Sequence, residues 1–271
     1  MSDTIYEDQQ YHLRNGESLQ IHRSTTTTGR RSYWIGGTNH KVAGASSIAS
    51  IVSDGGFSAG MKYVESRAKS SYEQGNRDYL DMIGKADQEG KQAAEYGTLM
   101  HKYIADWVAA STISAPVAYP IPEDNEDFNE WLKFYNNFRE DLVFIPEASE
   151  SFCYNTVRPY GGQIDAIAFN KGQEGPEYYL IDWKTTNYKS FKNTRFQGRV
   201  EHKTQLAGYA LALNESKSIY TPVVGAYVIY IVRRGDEPNQ LPFVVEVPVD
   251  MDLHTELFLS ALNISTQKRQ A

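Results

Sequence analysis

YGGQIDAIAF (residues 160–169) and YYLIDWKTT (residues 178–186) are apolar, strand-like segments joined by a turn containing glycine and proline, and an aspartate interrupts each. Side chains alternate along a strand, so Leu180, Asp182 and Lys184 share one face of the second segment and Ile181 and Trp183 the other. An acid beside a lysine in an apolar strand is expensive to bury unless the two serve each other or a ligand. Asp165 breaks the first segment in the same way. Carboxylate oxygens are the preferred ligands of Mg2+ and Mn2+, which take one or two carboxylates, waters and a substrate phosphate. Metal-dependent phosphodiester cleavage is the chemistry such strands can carry. A structural ion pair between Asp182 and Lys184 is the plainer alternative.

Downstream, NYKSFKNTRFQGRVEHK (187–203) reads as a long surface loop that interleaves Tyr188, Phe191 and Phe196 with cations. Aromatics for stacking and cations for phosphates suit a single nucleic-acid strand, although charge in a long loop also serves solubility. From Lys184 to Lys203 there are six basic residues (Lys184, Lys189, Lys192, Arg195, Arg199 and Lys203) against the single acid Glu201. A helix, TQLAGYALALNES (204–216), then leads into strands VVGAYVIYIVRR (223–234) and PFVVEVPV (242–249). The amphipathic helix DLHTELFLSALN (252–263) follows, and the polar tail STQKRQA (265–271) is expected to fray.

Upstream, SESFCYN (149–155) reads as a strand and EDFNEWLKFYNNFREDLVF (126–144) as a helix, with Phe128, Trp131, Leu132, Tyr135, Phe138 and Leu142 on one face. Between residues 45 and 110 the pattern is helical, in segments SSIASIVSDGG (46–56), FSAGMKYVESRAKSSYE (57–73), NRDYLDMIGKA (76–86) and KQAAEYGTLMHKYIADWVAAS (91–111). Gly97 lies inside the last of these at a cost of about 1 kcal/mol, which implies a close approach to its backbone. Residues 1–44 are polar, with edge strands at SLQIH and SYWIGG around the turn STTTTGRRS. Arg30 and Arg31 there are either phosphate contacts or merely solvated. The expected fold is α/β, a mixed central sheet flanked by helices with a helical N-terminal half. Residues 1–44 would form an arm, 45–142 the helical part and 143–271 the sheet core of one domain.

The single cysteine, Cys153, excludes an internal disulfide and a four-cysteine zinc or iron–sulfur site within the chain. It fits a reducing compartment. The first ten residues lack the basic-then-apolar pattern of a signal peptide, so a cytoplasmic location, bacterial or in a phage-infected host, is expected. The longest apolar run, VVGAYVIYIV, is about half of what a membrane helix needs, and no membrane partner is expected. A net charge of −7 gives no general attraction to nucleic acid, so binding would depend on the local basic segment.

GGQID followed by IDWKTT resembles the GxxD and (D/E)xK core of the PD-(D/E)XK nuclease superfamily. QLAGY (205–209) is similar to the Q-x-x-x-Y signature of its RecB-like branch, and GTLMH (97–101) to the G-x-x-x-H of an upstream helix. Ile164 stands where the literal motif has proline. The resemblance covers roughly residues 95–209 and implies a restriction-endonuclease-like core. It makes Asp165 and Asp182 metal ligands, with the Trp183 backbone carbonyl a third, and Lys184 the catalytic lysine. His101 becomes a further ligand or phosphate contact, against its reading as a satisfied core histidine. Glu150 would serve a second metal, with Glu147 its rival. Gln205 and Tyr209 would orient the lysine or hold DNA, although Tyr209 also reads as core.

The implied function is a Mg2+- or Mn2+-dependent DNA exonuclease, using one or two ions and no iron–sulfur cluster. It would act in DNA repair or recombination, and its source could be a phage. Lys189, Lys192, Arg195 and Arg199 would bind the DNA. The expected partners are DNA, single-stranded or at its ends, and a second copy of the chain or a recombination or replication protein. A non-catalytic nucleic-acid-binding accessory on the same fold and a restriction-type endonuclease are the alternatives.

Overall fold

The computed structural model describes residues 5–26, 31–38, 40–53, 69, 79–110, 125–138, 142–170, 175–233 and 241–270. Its centre is a five-stranded sheet built on strand β9 (Tyr178–Asn187) and strand β10 (Val223–Arg233). The two are parallel, with Ile181 opposite Tyr227 and Lys184 opposite Tyr230. A parallel pair needs a crossover, and helices α4 (Tyr188–Asn193) and α5 (Val200–Glu215) supply it. Antiparallel neighbours complete the sheet: β11 (Phe243–Pro248) beside β10, β8 (Ala166–Asn170) beside β9, and β5 (Leu142–Phe144) beside β8. The expected mixed sheet between helices is therefore present.

Alternation along β9 and β10 divides the interior in two. Leu180, Val228 and Tyr230 face one core, filled by Leu206, Tyr209 and Leu213 of α5 and by Phe258 of helix α6 (Met251–Gln270). Ile181, Trp183, Ile229 and Ile231 face the other. That second core is closed by Met100, Ile104 and Val108 of helix α2 (Tyr79–Ala110) and by Phe128, Trp131 and Tyr135 of helix α3 (Glu126–Phe138). Each face of the central strands packs on a core, which is why those strands read as continuous apolar runs. No helix among the described residues is long and apolar enough to cross a membrane.

Several local readings change. The segment 160–169 is two strands, β7 (Tyr160–Ile164) and β8, which part at Asp165. β7 leaves the main sheet and pairs with β6 (Ser151–Asn155), where Gly162 lies opposite Cys153. Residues 142–144 are strand and not helix, because pairing with β8 buries Leu142 and Phe144 as well as a helix face would. The two helices expected over 76–86 and 91–111 are one, running unbroken through Gly90 and Gly97. The 187–203 loop is partly helical: the Asn187 side chain caps α4 by accepting the Ser190 N–H at 2.7 Å. At the other end, α6 extends through Gln270, where fraying was expected. The helix expected over 57–73 lies outside the described residues, apart from residue 69.

The N-terminal segment, where edge strands were expected, is a four-stranded antiparallel sheet in sequence order. Its strands are β1 (Ile5–His12), β2 (Ser18–Thr25), β3 (Arg31–Ile35) and β4 (Val42–Ala43). Tyr11, Ile21 and Tyr33 from this sheet enter the first core. Tyr33 lies so close to Gly161 that a Cβ there would come within 2.6 Å of its ring, and Gly44 bridges to Gly161. The sheet is thereby seated on β7. The short helix α1 (Ala45–Ala49) packs beside it and against α5.

Candidate active site

β9 delivers Asp182 and Lys184 to one face, with Trp183 in the core behind them. Lys184 Nζ stands 2.5 Å from Asp182 Oδ2, a close ion pair that holds the buried carboxylate. Asp165, at the break between β7 and β8, turns inward and its Oδ2 accepts the Trp183 N–H at 2.9 Å. α2 carries His101 Nδ1 to 3.4 Å from that same oxygen and 3.9 Å from Glu150 Oε1. Gly97, one turn earlier, lets the helix come this near: a Cβ there would sit 3.2 Å from Thr185 Oγ1, on β9. Glu150 is pinned by its N–H donating to the Asp165 carbonyl at 3.0 Å and takes up φ 53°, in the left-handed region. His101, Glu150 and Asp165 each offer a donor atom, all within 4.8 Å of one another. Trp183 joins the group through its peptide, by the N–H to Asp165 and a backbone hydrogen bond with His101. Glu147 stands elsewhere, exposed in a 3-10 turn and lining a separate cavity with Gln9, Gln10 and Tyr220.

Burial crowds these acids. It pushes the Asp182 carboxyl up to about 6, against the pull of Lys184, and it raises Asp165 as well. Glu150 is pushed up to about 8 by burial and then by repulsion from Asp165, although its side chain is 36% exposed and solvent screens part of that effect. His101 is held down at about 4, by burial and then by the Lys184 charge, so it is a neutral imidazole with a free lone pair. Burial also disfavours the Lys184 cation, but Asp182 and Asp165 outweigh it and hold its pKa above the ordinary value. One lysine thus faces three carboxylates. The donor set of carboxylate oxygens plus a neutral imidazole nitrogen fits a divalent cation of the Mg2+ or Mn2+ kind.

This fit predicts a pH-dependent stability. A carboxyl whose folded pKa is raised contributes stability in full below its unfolded pKa and loses it as pH rises through the folded value. For Glu150 that window runs from 4.5 to about 8, and Asp165 and Asp182 act in the same direction. The melting temperature in EDTA is expected to fall between pH 5 and pH 8 by this contribution. Mn2+ is expected to raise it more at pH 8 than at pH 5, because the ion displaces protons. Equal gains at both pH values, measured by thermal denaturation, would remove the cluster as a cation site.

The remaining candidates are placed less directly. Gln205 Nε2 donates to the Tyr209 hydroxyl at 2.7 Å. Tyr209 is 3% exposed and packs under Gly162. Lys189 and Lys192 lie exposed on α4, Arg195 in the turn after it, and Arg199 at the start of α5. Among the described residues, none of these four pairs with the acid cluster, and Arg199 instead meets Glu201 at 3.5 Å. Arg195 and Phe196 both hold left-handed backbone, at φ 54° and 61°, and Phe196 is 43% exposed.

Two basic residues at the site come from the N-terminal sheet. Arg23 donates to the Gln163 and Glu7 side chains, and its charge lowers the Glu150 pKa. The charge of Arg31 acts on His101, Glu150, Asp165 and Lys184. Strand alternation puts Arg31 on the Tyr33 face, the face seated on β7. Arg30 lies outside the described residues.

Comparison with known families finds that the model of the PD-(D/E)XK nuclease superfamily matches residues 126–263, half of the chain. A search of curated proteins finds no match.

Proposed function

Because the chain belongs to the PD-(D/E)XK nuclease superfamily, we propose that it is a metal-dependent DNA exonuclease, hydrolysing phosphodiester bonds at DNA ends during repair or recombination. The observation that carries the reading is the convergence of Asp165, Asp182 and Lys184 with His101 and Glu150 from three separate parts of the chain. Asp165 and Asp182 would hold Mg2+ or Mn2+, with His101, Glu150 and the Trp183 carbonyl completing the set. When bound, the ion supplies Lewis-acid neutralisation of the scissile phosphate and lowers the pKa of the attacking water.

The chain's own groups have distinct tasks. Lys184 keeps its proton and serves as a fixed positive charge, orienting the water and stabilising charge that develops on phosphate. Asp165, held by the Trp183 N–H, keeps its carboxylate aimed at His101. Exposed Lys189, Lys192 and Arg195, with the exposed Phe196 ring, suit a strand leading to the site. The preference for ends over internal sites rests on the RecB-like features, GTLMH and Gln205–Tyr209. A non-catalytic accessory is disfavoured because both acids and the lysine are present and gathered.

The test uses end-labelled linear DNA, single- and double-stranded, beside a closed circle, in Mg2+, Mn2+ or EDTA. Metal-dependent degradation of the linear forms with the circle spared is expected. Discrete cuts in the circle would make the protein an endonuclease, and binding without cleavage would make it an accessory.

A further inference from the structure

Beside Lys184 lies a polar pair that the acid cluster does not use. Tyr230 sits opposite Lys184 in the register of β9 and β10 and is 2% exposed. Its hydroxyl accepts the Arg199 backbone N–H at 2.9 Å and lies 2.8 Å from His202 Nδ1. A phenol has one proton, and no other acceptor among the described residues takes it. The arrangement that uses it is Tyr230 O–H donating to His202 Nδ1, which fixes the imidazole with its proton on Nε2. No protein group among the described residues accepts that Nε2–H.

The pair is held firmly. The Phe191 ring packs 4.8 Å from that of Tyr230. Gly198, at φ 67°, lies so close that a Cβ would come 2.5 Å from the Tyr230 ring and hydroxyl. Three left-handed residues, Arg195, Phe196 and Gly198, thus shape the turn that closes over Tyr230.

We propose that His202 is a phosphate-binding residue of the nuclease site, donating its Nε2–H to a non-bridging phosphodiester oxygen of DNA held beside Lys184. The surroundings select an anion. The charged groups acting on His202 are both cations, Lys184 and Arg199, and with burial they keep the ring neutral. His202 also lies in the first turn of α5, where the helix dipole favours negative charge. The identity of the anion as DNA rests on the nuclease reading above.

The experiment compares His202→Ala and His202→Gln with the wild type in DNA binding, cleavage kinetics and melting temperature. Imidazole 15N NMR is recorded on the wild type with and without a short oligonucleotide in EDTA. His202→Ala is expected to weaken binding and kcat/KM by about tenfold to a hundredfold, mostly in KM, as loss of a hydrogen bond to a charged group does. His202→Gln, which retains an N–H donor, is expected to recover most of that loss. The free protein should show the Nε2–H tautomer, and DNA should shift that resonance. Ala and wild-type proteins that bind and cut within twofold of each other would overturn the proposal. So would Ala and Gln variants that lose activity equally and in step with melting temperature. If His202→Ala does not fold, an unmoved Nε2–H resonance in DNA-bound wild type overturns it alone. A shifted resonance with no cleavage would sink the exonuclease reading and leave this one standing; a wild type that binds no DNA sinks both.

Discussion

Lys184→Met is expected to lower DNA cleavage by about two to three orders of magnitude, the usual cost of removing one preorganised charge from a transition state. Methionine keeps the length and the apolar stem, so packing around a side chain that is 22% exposed is preserved. What disappears is the cation 2.5 Å from Asp182. In the metal-free variant the Asp182 carboxyl, already pushed up to about 6 by burial, rises further and takes a proton. That spares the fold the large cost of an unpaired buried charge. Single-turnover cleavage at saturating Mn2+, read beside thermal melts, separates the two roles. A variant that still cuts within about fivefold of wild type would make Lys184 a structural counter-ion to Asp182, the plainer reading of the sequence.

Gly162→Ala is expected to destabilise the protein by about 3 kcal/mol, at the upper end of overpacking in a core. The new methyl would overlap Cε1 of Tyr209 and lie 2.8 Å from its Cδ1. The ring cannot swing away easily, because Tyr209 is buried and its hydroxyl is tied to Gln205. Relief must therefore come from β7, and Asp165 directly follows β7, so cleavage should fall with stability. Urea unfolding measures the first effect. Adding Tyr209→Leu should recover much of the loss, as coupled neighbours do in a double-mutant cycle. A Gly162→Ala protein as stable as wild type would show that this glycine is not needed for the packing of Tyr209.

Much of this site was legible because it obeys local rules. The period of two in β9 separates Asp182 and Lys184 from Trp183, and Gly97 marked a close approach that turns out to be Thr185. Where the sequence misled, the cause was tertiary. Nothing in residues 160–169 announces a break at Asp165: no proline intervenes, and apolar residues run to either side of it. The strand ends there because its two halves find different partners, Cys153 for one and Leu180 for the other. Leu142 falls four residues after Phe138, a helical spacing that happens to serve a strand equally well. β1 is exposed along most of its length and too polar to show alternation. Arg31 and His202 reach the site only because distant strands and helices pack together, which no window of sequence contains.

The central sheet is a partition, and the acid cluster is assembled where the pairing of β8 with β9 gives out. His101 hangs from the helix on one side, while Asp182 and Lys184 face the opposite side. An ion shared by these groups would therefore act as a hasp, latching the rear helix to the front of the wall.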